Sequence, residues 1–154
     1  KDLHNLAPQV RGIVGDEITM MLQQNEGHVA VVWSGVAAPL VQENTRYNYV
    51  IPKEGSNLWF DNMVIPKTAQ NKEGAYKFMN FLLDAQNSAQ NTEWVGYATP
   101  NKAARSKLPK EVRNDHRFYP SKQEQQRLEV YKDLGQSSLS DYNESFLNFK
   151  MSLK

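Results

Sequence analysis

The sequence contains no cysteine, so disulfides and thiolate metal sites are excluded. That absence assigns no compartment, because many exported proteins also lack cysteine. No run is apolar for the length of a transmembrane helix. The opening Lys1-Asp2-Leu3-His4 has neither a signal-peptide pattern nor an initiator methionine, and it predicts a trimmed or excised piece of a longer chain. Charge of one sign is lacking too: 18 basic and 17 acidic residues leave +1, with no basic cluster, which argues against a nucleic-acid partner. Histidine is scarce. His4, His28 and His116 lie far apart with no i, i+4 pairing for a metal, and each reads as a surface or capping residue. A nucleophile elbow, a phosphate loop, a dinucleotide glycine fingerprint, internal repeats and low-complexity tracts are all missing. Nothing therefore supports catalysis, a bound metal or a cofactor.

What is present suits one ordinary soluble domain: 154 residues, 40% hydrophobic and 23% charged. Leu3, Leu6 and Val10 mark a first helix interrupted by Pro8. Gly12–Val14 reads as a brief strand, and Asp16 as the cap of a helix carrying Ile18, Met21 and Leu22. Val29–Trp33 is an apolar run without alternation, the pattern of a strand covered on both faces. A helix from Val36 to Glu43 and a strand over Tyr47–Ile51 follow, and this alternation predicts an α/β layer with parallel strands. A strand pair is predicted at Leu58–Phe60 and Met63–Ile65. Asn71 then caps a helix with Ala75, Phe78, Met79 and Leu82 inward, Asp84 recaps it, and a second helix runs to Trp94, which reads as core. Asn101 caps Lys102–Lys107, the stretch from Leu108 to Pro120 holds one short helix, Leu128–Tyr131 is a short strand, and a final helix starts at Leu139.

The chemically suggestive positions are aromatic. Trp59 and Asp61 stand two apart in an extended-looking segment, where alternate residues share a face. A ring beside a carboxylate suits an organic cation, which the ring face attracts and the carboxylate neutralises. Trp33, at a strand end before Ser34-Gly35, and Tyr97, in the loop Gly96–Asn101, also sit at element ends. Each aromatic alone is more simply a packing residue, and Asp61 a strand-end cap. Together they favour a cation site.

Trp33-Ser34-Gly35, the run Val50–Asp61, Asn71-Lys72-Glu73-Gly74-Ala75 and Val95–Asn101 resemble spermidine/putrescine-binding proteins, the extracytoplasmic solute receptors of polyamine ABC importers. Arg117-Phe118-Tyr119-Pro120 and Leu128–Gly135 share the likeness, which covers nearly the whole chain in order. It implies an α/β fold of the periplasmic-binding-protein type (type II), with this chain the later half of a two-lobed receptor. Residues 1–57 would be second-lobe sheet and helices, 58–107 a return segment in the first lobe, and 108–154 the return to the second. The first lobe's remainder and an export signal would lie upstream.

By the same resemblance, Trp33, Trp59, Asp61 and Tyr97 match ligand-binding positions, and Tyr131 falls where some members place a glutamine on the ligand. The implied function is binding of spermidine or putrescine between the lobes and delivery to the membrane-embedded permease. The location is periplasmic, or the cell surface as a lipoprotein. The chemistry agrees: ammonium groups need carboxylates, and a methylene stem gains from aromatic walls at about 0.5–2 kcal/mol per cation–π contact. Two alternatives stay open: a receptor of this fold for another small cationic or polar solute, and an α/β hydrolase or transferase. Apolar surfaces left bare by an absent first lobe would favour self-association.

Overall fold

The computed structural model describes residues 2–153. They divide into two compact units, Trp33–Tyr131 and the pair of segments Lys1–Val32 and Lys132–Lys154.

The regular structure of the larger unit is mostly helical. Its helices are α3 (Ser34–Glu43), α4 (Lys72–Leu83), α5 (Ala85–Val95), α6 (Lys102–Lys107), α7 (Lys110–Arg113) and α8 (Lys122–Gln125), with α1 (Asp2–Leu6) and α2 (Ile18–Gln23) in the other unit. Local hydrogen bonds set their starts. The Asn71 carboxamide accepts from the Gly74 amide, Asp84 accepts from Gln86 and Asn87, and Asn101 accepts from Ala103 and Ala104. Ser121 and Glu124 form a reciprocal capping box that opens α8. Ala89, Ala104 and Leu108 make a small core, with Val112 and Tyr119 packed against it. The Arg105 guanidinium lies 4.2 Å from the centre of the Tyr119 ring and closes that core from outside.

A two-stranded parallel sheet joins β1 (Ser56–Leu58) and β2 (Leu128–Val130), with Ser56 opposite Leu128 and Leu58 opposite Val130. Gly55 makes the approach feasible. Its φ is +108°, and a Cβ there would overlap the Arg127 carbonyl oxygen.

In the smaller unit, α1 (Asp2–Leu6) passes into a 3-10 turn at Ala7–Gln9, where Pro8 ends regular helix. It also contains α2 (Ile18–Gln23) and the 17-residue α9 (Gly135–Met151). Ala7 and Phe149 are its buried apolar residues.

Every predicted helix is present, and α9 begins four residues earlier than Leu139 suggests. The strand expected at Leu128–Tyr131 is present as β2, and the others need correction. Residues 12–14, 29–33, 47–51 and 63–65 belong to no ladder among the described residues, and β1 ends before Trp59. A strand exists only through a partner's backbone, and these runs lack one here. Val29, Val31 and Val64 are correspondingly 92%, 103% and 80% exposed, the reverse of strands covered on both faces. Phe78, expected inward on α4, is exposed, while Ala75, Met79 and Leu82 are half-buried.

Candidate functional site: a row of three aromatic rings

Trp33 begins the site. It is the N-cap of α3, in extended geometry, and its carbonyl accepts from the Val36 and Ala37 amides at 3.0 and 3.1 Å. The helix start thus fixes its backbone while the side chain stays half exposed. Sequence reasoning placed it at the end of a buried strand; the structure places it at a helix start instead.

Trp59 follows directly on β1, and Tyr131 directly on β2. The last ladder pair is Leu58 opposite Val130, the residues immediately before them. Both therefore leave the carboxyl ends of parallel strands, where ligands of open α/β sheets gather. The Trp59 ring meets Trp33 at a centroid distance of 5.4 Å and an interplanar angle of 71°. It meets Tyr97 at 5.6 Å and 75°. These edge-to-face contacts put Trp59 in the middle of a row of three rings. Tyr131 remains largely exposed, with no ring contact to the row.

Tyr97 is delivered by the loop after α5. Gly96 ends that helix in the left-handed conformation, and its amide donates to the Thr92 carbonyl. Three further bonds pin the loop. The Thr99 amide donates to the Tyr119 hydroxyl at 3.1 Å, the Ser88 and Thr99 hydroxyls share a bond at 3.3 Å, and Asn101 Nδ2 donates to the Leu83 carbonyl at 2.8 Å. Tyr119 is held in turn by the Asp115 turn, whose carbonyl accepts from the Phe118 and Tyr119 amides. Arg117 grips the Asp115 carboxylate through Nε and a 2.6 Å Nη2 contact, which holds that carboxyl below its ordinary range. Phe118 stacks on Tyr49 with rings 3° from parallel, and burial pushes the Tyr49 hydroxyl's pKa up.

These supports escaped sequence reasoning. Asn101 is legible as a cap, but its second bond, to a residue 18 positions back, leaves no local signal.

Asp61 lies just beyond Trp59 and is exposed. None of the ion pairs among the described residues engages its carboxylate. Because β1 ends at Leu58, ladder pairing does not enforce a shared face for Trp59 and Asp61. Trp94, read as core, is 90% exposed: α5 turns Ala89 and Thr92 inward, and the indole falls on the outer side.

Two cavities border these elements. One of about 190 Å³ is lined by Tyr97 together with Ala38, Gln42, Thr92 and Phe118. The other, about 610 Å³ around His116, Gln126 and Arg127, contains none of the row, and its Glu124 carboxylate is already engaged by Ser121. Among the described residues no three His, Asp or Glu side chains gather to hold a metal, and no helix is long and apolar enough to cross a membrane. The row offers the π-faces of Trp33, Trp59 and Tyr97, with Asp61 two residues along the chain from its middle member.

Residues 3–119 match the family described as bacterial extracellular solute-binding protein. The chain belongs to that family. Among this solute-binding protein's solved relatives is a putative spermidine/putrescine ABC transporter protein from Listeria monocytogenes. It is 58% identical with a TM-score of 0.88, over 97% of this chain and 46% of that one. A spermidine/putrescine ABC transporter substrate-binding protein from Streptococcus pneumoniae is 44% identical with a TM-score of 0.85, over 99% and 47%. The spermidine/putrescine-binding periplasmic protein of Escherichia coli (strain K12) is 38% identical over 149 residues, which are 97% of this chain and 42% of that protein. The chain thus spans less than half the length of these relatives. The solute-binding protein's mixed helix-and-sheet structure thus corresponds to a part of the fold of these solved relatives.

Proposed function

We propose that this solute-binding protein contributes one wall of an interlobe cleft that binds spermidine or putrescine, and that the complete receptor delivers them to an ABC importer. The observation carrying this reading is the contiguous, solvent-accessible row Trp33–Trp59–Tyr97, with the unengaged Asp61 carboxylate two residues from its middle ring. A polyamine is a flexible methylene stem with ammonium ends. The stem lies along the rings, where cation–π attraction adds about 0.5–2 kcal/mol per well-placed contact. Asp61 takes an ammonium, because burying that charge unpaired is far more costly than leaving it in water. Tyr131, which follows β2 as Trp59 follows β1, borders the same end of the sheet and supplies a further ligand contact.

In this reading residues 58–107 stand in the first lobe, with 1–57 and 108–154 in the second. Closure of the lobes excludes water and forms the surface that meets the permease. The work is extracytoplasmic, as the family description and the periplasmic relatives support.

Calorimetric titration of the full-length receptor with spermidine and putrescine tests the proposal. Saturable binding of either, weakened by Asp61→Ala, supports it. No heat from either polyamine, or binding that ignores Asp61→Ala, overturns it.

A further inference from the structure

We infer that Gly35 is the positioning residue that sets where the Tyr97 ring stands, and hence the width of chain the aromatic row accepts. Gly35 is the second residue of α3 and is buried. A Cβ built there would overlap Cδ2, Cε2 and Cζ of Tyr97. Three ring carbons are involved, so the ring lies across the Gly35 Cα rather than brushing it with one edge. Only glycine leaves that space.

Gly96, the residue before Tyr97, lies against the same helix. A Cβ on Gly96 would stand 3.6 Å from both the Gly35 carbonyl oxygen and the Ala38 Cβ. The end of α5 and the first turn of α3 are therefore in contact, and the overlap that a side chain would create lies at Gly35. With Gly96 held in the left-handed conformation and Thr99 bonded to Tyr119, the Tyr97 backbone has little room to retreat. A side chain at position 35 has to be accommodated by the Tyr97 ring itself. That ring already stands 5.6 Å from Trp59, so its displacement alters the row at its middle member. Gly35 touches no ligand in this scheme; it acts through Tyr97.

The inference about ligand width rests on the polyamine reading, but the contact that underlies it does not. The test is a mutant cycle in the full-length receptor: Gly35→Ala, Tyr97→Ala and the double variant. Two readouts are taken, calorimetric polyamine affinity and the near-ultraviolet circular dichroism of the tryptophans, which needs no ligand. Gly35→Ala is expected to weaken polyamine binding about tenfold, the size of one misplaced aromatic contact, and to change the tryptophan band. In the Tyr97→Ala background the same substitution should change neither.

Equal effects of Gly35→Ala in both backgrounds, or none in the Tyr97-containing one, overturn the inference. A receptor that binds no polyamine removes the ligand reading alone, and the spectroscopic cycle still decides whether Gly35 positions the ring. Should Gly35→Ala fail to fold by itself, the Tyr97→Leu background replaces it. Gly35→Ala must then perturb the tryptophan band more there than beside Tyr97→Ala, and equal perturbation overturns the inference.

Discussion

The Thr99 amide donates to the Tyr119 hydroxyl at 3.1 Å, tying the loop that carries Tyr97 to the small core around Ala104. Tyr119→Phe deletes the acceptor and leaves a half-buried N–H unpaired, at a cost of about 1 kcal/mol. For a chain of this size that corresponds to a fall of roughly 2–4 °C in melting temperature. Calorimetric melting of the two proteins measures it, and an unchanged melting temperature would show that water replaces the bond without loss.

Asp61 has no ion-pair partner among the described residues, so its removal disturbs little in the unliganded protein. Asp61→Asn should leave the stability within about 0.5 kcal/mol of the parent, the usual range for surface substitutions. It should weaken polyamine binding by about 1.5–3 kcal/mol, the worth of a hydrogen bond to a charged group. The combination is diagnostic. A stability loss without an affinity loss would make Asp61 a structural cap.

Asp115 supplies a pH dependence. Its folded pKa is lowered, first by the side-chain bond from Arg117, relative to about 3.9 in an unfolded chain. The unfolded state therefore binds more protons in that window, and stability rises with pH across it. The contribution is fully present above about pH 4 and is lost as pH falls toward the lowered folded value. Urea unfolding between pH 5 and pH 2 should show a shallower acid loss for Asp115→Asn than for the parent, whereas identical slopes would assign the acid sensitivity elsewhere.

The unpaired apolar runs predict behaviour in solution. Val29, Val31, Val50 and Val64 are all at least 66% exposed, and a bare extended segment invites pairing with another chain. The chain of residues 1–154 by itself should self-associate as concentration rises, and Val31→Lys should reduce this. Light scattering checks both statements; a clean monomer across the concentration range contradicts them.

The helices were legible because their signals are local. Asn71, Asp84 and Asn101 each satisfy amides within three residues, so the sequence alone marks those starts. The capping box at Ser121 and Glu124 is equally local, yet α8 was not among the expected helices, because periodicity passes over a four-residue helix. The strands were not legible in this way. Whether Val29–Trp33 or Tyr47–Ile51 joins a ladder depends on a partner that no local pattern names, whereas β1 and β2 pair across about seventy intervening residues. Trp94 shows the same limit: its identity suggests burial, but Ala89 and Thr92 hold the inner face of α5. At the site, Trp33, Trp59 and Tyr97 could be singled out as residues at element ends. Their convergence through Gly35 and through the Thr99–Tyr119 bond arises from contacts between elements far apart in the chain.

The most direct measurement is a crystal structure of the full-length receptor with spermidine bound. The account predicts an ammonium or imino nitrogen about 2.7–2.9 Å from an Asp61 carboxylate oxygen, with methylenes against the Trp59 ring and Trp33 and Tyr97 flanking it. Spermidine bound away from this row, or seated on it with Asp61 still facing only water, would contradict it.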